Sequence, residues 1–235
     1  MALPFFYEPA VSGVQTHFQL SEESSKHCTQ VLRMRNGEQL QITNGKGSLY
    51  TARILAEDKR KTIVLIEEEQ LRPRTGKQVS IGISLLKNAS RLEWFLEKAT
   101  EIGVYEIIPL LCTRTEHSRF RTDRMTQILV SAMLQSQQVW LPILHEPTKL
   151  PAVVQHAAHT HKLIAHCEED SKTELASLHF MNDIQILIGP EGDFTPQEIN
   201  QALEYHYQPV SLGNTRLRTE TAGLVAAALL VNGDH

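Results

Sequence analysis

The chain has few of the features that mark membrane, secreted or disordered proteins. No apolar run in its 235 residues approaches the ~18 residues that suggest a membrane span. Its start, residues 1–8, lacks the basic segment and the long apolar core of a secretion signal. The three cysteines, Cys28, Cys112 and Cys167, are too few and too scattered for a disulfide framework or a zinc site of the paired CxxC type. We therefore expect a cytoplasmic protein with reduced thiols.

The chain also lacks an excess of basic residues. Its net charge is −4, which argues mildly against a nucleic-acid partner, because phosphate contacts usually leave a basic footprint. Any footprint must be local, and residues 26–35 and 114–124 are the two stretches that qualify, with solvated surface as the alternative. These stretches supply the candidate RNA contacts, which are Lys26, Arg33, Arg35, Arg114, Arg119 and Arg121.

What is present is the composition of a globular protein, with 41% hydrophobic and 21% charged residues. Short alternating runs separated by turn residues over 38–69 predict a small antiparallel β unit. The polar segment 70–78, which contains one proline and one glycine, is a credible linker. We therefore predict two domains, residues 1–72 and residues 73–235.

After the linker, strand and helix patterns alternate to the end of the chain. Such alternation predicts an α/β domain with a mostly parallel sheet covered by helices on both faces. For the first helix, Ser90 and Glu93 predict a capping box and Gly103 predicts the end. Further helices are predicted over about 123–139, after Thr195 and over about 219–231. Ligands of such sheets bind beyond the carboxyl ends of the strands, which here are the turns 166–168, 189–192 and 213–219.

Two of these turns carry unusual residues. Residues 186–195 form a buried strand that opens into a turn with two glycines, which let a ligand approach the backbone closely. The turn is neither GxGxxG nor GxxxxGK[ST], and it follows a strand, whereas the GxxG loop of a KH module joins two helices. Residues 210–222 place two arginines, a glutamate and threonines where a strand ends and a helix begins. A solvated helix start would not need both Arg216 and Arg218 beside Glu220.

These two segments together carry a family resemblance. Ile188-Gly-Pro-Glu-Gly-Asp-Phe-Thr195, paired with Leu212-Gly-Asn-Thr-Arg-Leu-Arg-Thr-Glu-Thr-Ala222, resembles the signature of the rRNA uridine-N3 methyltransferase family known as RsmE. Supporting matches are residues 31–37 in the first predicted domain, and residues 97–104, 108–109 and Arg114 in the second. The resemblance covers nearly the whole chain.

The resemblance implies a PUA-like β-barrel followed by a SPOUT methyltransferase domain whose carboxyl end threads a trefoil knot. It implies a homodimer that uses S-adenosylmethionine and methylates N3 of a uridine in 16S rRNA, with the assembled small ribosomal subunit as the expected substrate. It implies no metal and no membrane partner. Mapped onto this sequence, the implied cofactor-binding residues are His166, Ile188, Gly189, Gly192, Leu212, Gly213, Leu217, Arg218 and Thr219.

The catalytic assignments leave alternatives open. Uridine N3 carries a proton that must leave, and Glu191 and Glu220 are the candidate bases. Glu220 could instead interact favourably with the helix dipole at the start of the last helix. Arg218 could stabilise charge that develops on the uracil oxygens, or it could pack within its loop.

The sequence departs from the family pattern at two positions. Pro4 stands where family members often carry an arginine, so an RNA contact at that position is in doubt, and Asp193 replaces a third glycine with another turn-compatible residue. The histidines of residues 156–166 and Cys167 crowd a short stretch, but no metal-ligand spacing repeats.

Two other functions are possible for such a chain. It could be an RNA-binding assembly factor without catalysis, or a small-molecule α/β enzyme.

Overall fold

A computed structural model describes residues 3–116, 119–168 and 172–233 of the chain. Met1 and Ala2, at the start discussed above, and residues 117–118, within the second basic stretch, lie outside the described residues. The chain forms two compact units. The first combines Met1–Thr75 with Met133–Leu141, and the second combines Gly76–Ala132 with Pro142–His235. The domain boundary at residue 72 stays a prediction.

The first unit is a curled five-stranded sheet with one short α-helix. Its strands follow the order β1-β3-β4-β5-β2, antiparallel except for the parallel pair β1 and β3. Alternate residues such as Leu40 and Ile42 point into one core, where they meet Phe6 and Tyr50. The elements are β1 (Phe5–Tyr7), β2 (His17–Gln19), α1 (Glu22–Lys26), β3 (Gln39–Thr43), β4 (Ser48–Ala56) and β5 (Ile63–Leu71).

Residues 133–141 join this unit from far along the sequence. The Gly47 N–H donates to the Val139 carbonyl at 2.9 Å, and the Trp140 indole Nε1 donates to the Arg72 carbonyl at 3.0 Å. Gly47 has a φ of +96°, and a Cβ atom there would lie 2.4 Å from the Trp140 ring. The tryptophan therefore packs directly on the backbone of the β3–β4 turn, a contact that only glycine permits.

The second unit is an α/β domain with an eight-stranded sheet. Its main path is β11-β13-β10-β12-β6-β7-β8, β9 pairs with β7 off that path, and all the pairings in it are parallel. The elements are β6 (Val79–Ser84), α2 (Ala89–Ile102), β7 (Glu106–Leu111), α3 (Thr122–Gln135), β8 (Ile143–Leu144), β9 (Thr148–Lys149), α4 (Leu150–His156), β10 (His161–Ala165), β11 (Thr173–Glu174), β12 (Ile184–Ile188), α5 (Pro196–Glu204), β13 (Gln208–Ser211) and α6 (Thr219–Asn232). The last turn of α3 belongs to the first unit.

Helices cover both faces of this sheet. A Cβ atom on Gly82 would meet Leu110 and Leu187, which share a buried cluster with residues of α4 and α5. The next residue along β6, Ile83, lies on the opposite face, against Gly223 of α6 and close to Phe95 of α2. The predicted α/β class with a parallel sheet, preceded by a small β domain, is confirmed, and the trefoil knot stays a prediction. Within the described residues, no helix is both long enough and apolar enough to cross a membrane.

Two local predictions were wrong. The N-cap of α2 is Asn88, whose side chain accepts from the Ser90 N–H, and there is no Ser90 capping box because Glu93 is bound to Arg124 instead. Asparagine is at least as good an N-cap as serine, and the helix begins two residues earlier than predicted. The helix predicted over 123–139 ends at Gln135, because the chain turns at Gln137, which has a φ of +56°, and enters the first unit.

Candidate functional site

A cavity of about 370 Å³ lies at the carboxyl ends of β10 and β12. This is the sheet edge at which ligands of parallel α/β domains bind, and the volume is within the ~300–1,000 Å³ of small-molecule pockets. The wall brings together parts of all three turns that the sequence singled out. The sequence-predicted site residues on it are Ile188, Gly189, Glu191, Leu217, Arg218 and Thr219.

The turn after β12 is held rigidly against the domain. A Cβ atom on Gly189 would approach the ring and backbone nitrogen of Phe194 to within 3.2 Å, so glycine lets the turn fold tightly over this fully buried phenylalanine. Thr195 then caps α5 in a capping box with Glu198, and Pro196 occupies the first helical position. The packing and the capped helix thus hold the turn whose residues Gly189, Pro190 and Glu191 line the cavity.

Arg114 supports the same turn. Its Nη1 donates to the Gly192 carbonyl at 2.5 Å and lies 3.4 Å from the Phe194 carbonyl oxygen. A Cβ atom on Gly192 would lie 3.3 Å from the Arg114 side chain, so the glycine leaves room for this contact. Arg114, predicted as an RNA contact, therefore also has a structural role in holding the glycine turn.

Asp193 joins the glycine turn to the turn after β10. It has a φ of +64°, in the left-handed region that glycine favours, and aspartate tolerates this conformation better than most residues. Its carboxylate accepts hydrogen bonds from the Cys167 N–H at 2.7 Å and from the Phe194 N–H at 2.8 Å. Replacement of the expected glycine thus preserves the turn and adds a link to Cys167, which also lines the cavity.

The loop before α6 and the first residue of this helix also line the cavity. The Thr219 hydroxyl donates to the Gly189 carbonyl at 2.9 Å, which ties the two signature segments together. Gly213 has a φ of +124°, which a residue with a Cβ atom rarely adopts, so the turn into this loop requires glycine. Leu217, Arg218 and Thr219 reach the cavity from this loop.

The two candidate bases share one arginine that the sequence did not single out. Arg91 of α2 lines the cavity, and its Nη1 donates to Glu191 Oε1 at 2.7 Å. Its Nε lies 3.7 Å from Glu220 Oε1. The Glu191 side chain is 47% exposed, whereas that of Glu220 is 9% exposed. The sequence contains one signal for Arg91, which is a cation in the first turn of a helix, where the helix dipole disfavours it.

The remaining predicted cofactor residues flank the wall without contributing to it. His166 is buried just after β10, and its carbonyl accepts a hydrogen bond from the Lys172 ammonium at 2.7 Å. Gly192 lies between two lining residues, and Leu212 and Gly213 precede the lining part of their loop. The wall itself also includes Arg216, which the sequence singled out, and Ala165, Pro190 and Ala222, which carried no chemical signal in the sequence.

The candidate RNA contacts are exposed but differ in their partners. In the first unit, Lys26 ends α1, Arg33 has a φ of +56°, and Arg35 pairs with Glu57 at 3.1 Å. Between them, residues 27–31 form a π-helical turn, a distortion that is frequent at functional sites. In the second unit, Arg119 and Arg121 precede α3 and are exposed. Their assignment as RNA contacts stays a prediction.

The histidine-rich stretch is engaged in other contacts. His159 Nε2 lies 3.1 Å from Glu106 Oε1, and His145 Nε2 lies 2.7 Å from the other carboxylate oxygen of the same residue. This cluster is at the amino end of β7, the sheet edge opposite the cavity. Among residues 3–116, 119–168 and 172–233, no group of three or more His, Cys, Asp or Glu side chains is placed to hold a metal ion.

Comparisons with known proteins agree with this geometry. A family model described as "RNA methyltransferase domain" matches residues 73–231, and one described as "RNA methyltransferase PUA domain" matches residues 20–67. A curated relative from Rickettsia conorii, named "Ribosomal RNA small subunit methyltransferase E", is 27% identical over 88% of this chain and 86% of its own length.

Two solved structures match almost the whole chain. One, described as a probable rRNA-methyltransferase from Porphyromonas gingivalis, is 35% identical with a TM-score of 0.89 and covers 96% of this chain and 95% of its own. The other, a ribosomal RNA small subunit methyltransferase E from Neisseria gonorrhoeae bound to S-adenosyl methionine, is 29% identical with a TM-score of 0.88 and covers 98% of each chain. This protein therefore belongs to the RNA methyltransferase family, in the group named ribosomal RNA small subunit methyltransferase E.

Proposed function

We propose that this protein transfers the methyl group of S-adenosylmethionine to N3 of a uridine in the 16S rRNA of the small ribosomal subunit. The observation that carries the proposal is that both signature segments line one cavity at the ligand-binding edge of the parallel sheet. Two of the relatives above are named ribosomal RNA small subunit methyltransferase E, and the structure of one of these two is bound to S-adenosyl methionine. The uridine and its N3 atom come from the resemblance of the two segments to the RsmE signature.

The residues of the cavity fit S-adenosylmethionine. The volume of about 370 Å³ suits a ligand of this size. Residues of the Gly189 turn and of the 217–219 segment line the space, and Ile188, Ala165 and Ala222 supply apolar surface. When bound, the cofactor supplies an electrophilic methyl group on a sulfonium. We assign its contacts to the turn after β12 and the loop before α6, with His166, Leu212 and Gly213 supporting these walls.

The main task of the protein is to align methyl donor and acceptor. Methyl transfer is an in-line displacement, and holding two reactants in the reactive geometry can contribute ~7–11 kcal/mol. The bond between Thr219 and Gly189, at 2.9 Å, and that between Cys167 and Asp193, at 2.7 Å, connect the three turns around the cavity. These contacts fix the distance between the walls before any ligand binds.

Glu220 is the stronger candidate for the base. Its side chain is almost buried, and its Oε2 has no hydrogen-bond donor among the described residues, so we assign the proton of the RNA base to this carboxylate. Glu191 is half exposed and already bonded to Arg91. Arg218 is exposed on the cavity wall, where its guanidinium can interact with the uracil oxygens as their negative charge increases.

We further propose that the protein acts as a homodimer and that α6 contributes to the interface. Residues 223–231 of this helix are apolar without interruption, yet Leu224, Val225 and Leu229 are only half-buried within one chain. A helix that is apolar on all sides is normally buried. Sedimentation equilibrium should give twice the mass of one chain, and Leu229→Glu should shift the equilibrium to single chains. A monomeric wild-type protein would contradict the proposal.

The function is tested by methyl transfer to small ribosomal subunits from a strain that lacks this protein. Labelled methyl from S-adenosylmethionine should appear in the 16S rRNA, and nucleoside mass spectrometry should identify one 3-methyluridine. Naked 16S rRNA in a parallel reaction distinguishes recognition of the assembled subunit from recognition of RNA alone. Cofactor binding without a labelled nucleoside would instead indicate an RNA-binding factor that keeps the scaffold without catalysis.

A further inference from the structure

Arg91 lies on the cavity wall although neither signature segment contains it. It is the third residue of α2, whose N-cap is Asn88. The positive end of the helix dipole disfavours a cation at this position. A buried or half-buried arginine in such a place needs negative partners, and the Arg91 side chain is only 34% exposed.

The negative partners of Arg91 come from the two signature segments. Glu191, on the glycine turn, accepts a hydrogen bond from Nη1 at 2.7 Å. Glu220, in the first turn of α6, lies 3.7 Å from Nε, which is beyond hydrogen-bond range. One guanidinium therefore connects both segments, and the fixed fork of its donors allows it to face two carboxylates at once.

The two carboxylates are held differently. Glu191 is firmly bonded and half exposed, as expected for a residue that fixes the guanidinium. Glu220 is nine-tenths buried, and its Oε2 is inaccessible to solvent and has no hydrogen-bond donor among the described residues. Burying a carboxylate oxygen without a donor is costly. An unsatisfied buried group of this kind calls for an explanation, and a donor brought by a ligand is one.

We propose that Arg91 is a positioning residue for methyl transfer: Glu191 fixes its guanidinium by a hydrogen bond, and the guanidinium orients the Glu220 carboxylate by electrostatic attraction over 3.7 Å. The inference rests on the proposed function. In the reaction, the N–H bond of the RNA base breaks and the proton binds a carboxylate oxygen of Glu220. The electron pair left on the nitrogen forms the new bond to the methyl carbon, and the bond between that carbon and sulfur breaks with its electrons on sulfur. Arg91 contacts neither the base nitrogen nor the methyl carbon, and it acts by placing Glu220.

The test compares Arg91→Met with the wild-type protein in methyl transfer to small subunits. We expect kcat to fall about 10²-fold, the scale of a misplaced catalytic group. The KM for subunits should change less than about threefold, because only the chemical step depends on Glu220. The Kd for S-adenosylmethionine, measured separately, reports any loss of binding that arises because Arg91 itself lines the cavity. Arg91→Lys should recover only part of the rate, since a single ammonium cannot replace the fork.

Lys98→Met is the matched control. Lys98 lies on the same helix, its side chain is 33% exposed, and it also binds two carboxylates, those of Glu97 and Glu101, but it does not line the cavity. Its loss removes the same charge from α2, and we expect kcat to stay unchanged. Thermal melting of all the variants identifies any that fail to fold, in which case Arg91→Lys carries the test.

A double-mutant cycle separates positioning from a general effect on the fold. If Glu191 acts through Arg91, then Glu191→Gln should lower kcat about 10-fold in the wild-type background and have no further effect beside Arg91→Met. Independent, multiplying effects would overturn the inference, and so would an Arg91→Met protein with wild-type kcat. An inactive wild-type protein would contradict the proposed function itself. An active wild-type protein with either of the preceding results would contradict only the role of Arg91, so the two failures are distinguishable.

Discussion

Glu220→Gln is expected to lower the rate constant of methyl transfer by about 10²–10⁴-fold, the contribution of a positioned base. Glutamine has the same shape as glutamate but cannot accept the proton from the RNA base. Binding of S-adenosylmethionine should be unaffected, because Glu220 does not line the cavity wall. The rate constant is measured in single turnovers with enzyme in excess over small subunits, and the affinity for the cofactor by calorimetry.

Glu198→Gln provides the matched control for this prediction. Glu198 is also a first-turn glutamate and is 6% exposed, against 7% for Glu220. Burial raises the pKa of Glu198, but hydrogen bonds from Thr195 and Thr113 outweigh burial and lower this pKa. Its role is therefore structural, and its replacement should reduce stability without changing the rate constant of the folded protein. If the Glu220→Gln protein kept the wild-type rate constant, Glu220 would not be the base and Glu191 would become the candidate.

The second large effect is expected on stability, at the sheet edge opposite the cavity. Burial raises the pKa of Glu106, but hydrogen bonds from His159 and His145 outweigh it and hold this pKa at about 2, compared with 4.5 for an ordinary glutamate. The side chain is 12% exposed. A difference of this size corresponds to roughly 3 kcal/mol of folding free energy. Glu106→Gln should therefore reduce the free energy of unfolding at pH 7 by about 2–3 kcal/mol, as measured in urea.

The pH dependence of this loss follows from the direction of the shift. A carboxyl group whose pKa is lower in the folded than in the unfolded protein stabilises the fold at pH values above its unfolded-state pKa. This contribution disappears as the pH falls from about 4.5 to about 2. The wild-type and Glu106→Gln proteins should therefore approach each other in stability at low pH. Glu57→Gln, which removes an exposed pair with Arg35, should change stability by only about 0–1 kcal/mol. An equal difference at pH 7 and pH 3 would contradict the role given to Glu106.

The sequence identified the place of the candidate site because chemistry and topology coincide there. Glycines and polar residues after buried strands predict turns at one sheet edge, and the structure brings the turns after β10 and β12 and the loop before α6 to one cavity. The contribution of Arg91 could not be predicted in the same way. It comes from the start of α2, about 100 residues before Glu191, and its significance depends on side-chain distances that no periodic pattern encodes.

Element boundaries were predictable where the local signal is strong. Gly103 ends α2 with a φ of +98°, and Thr195 with Glu198 begins α5, as their sequence context indicated. The two-residue strands β8, β9 and β11 are too short to show a period of two. The end of α3 was missed because the apolar residues beyond Gln135 continue to look helical, although Val139 and Trp140 contact the first unit instead.

That segment determines when the first unit can complete its fold during synthesis. Domains generally fold in the order in which they are made, at about 5–20 residues per second. Here the backbone of Gly45 and Gly47 pairs with Leu141 and Val139, and the Arg72 carbonyl with Trp140, so the partners of the β3–β4 turn are translated long after the turn itself. The amino-terminal unit remains incomplete on the nascent chain until much of the methyltransferase domain has been made. A gene fragment that ends at the linker encodes its strands but not these packing partners.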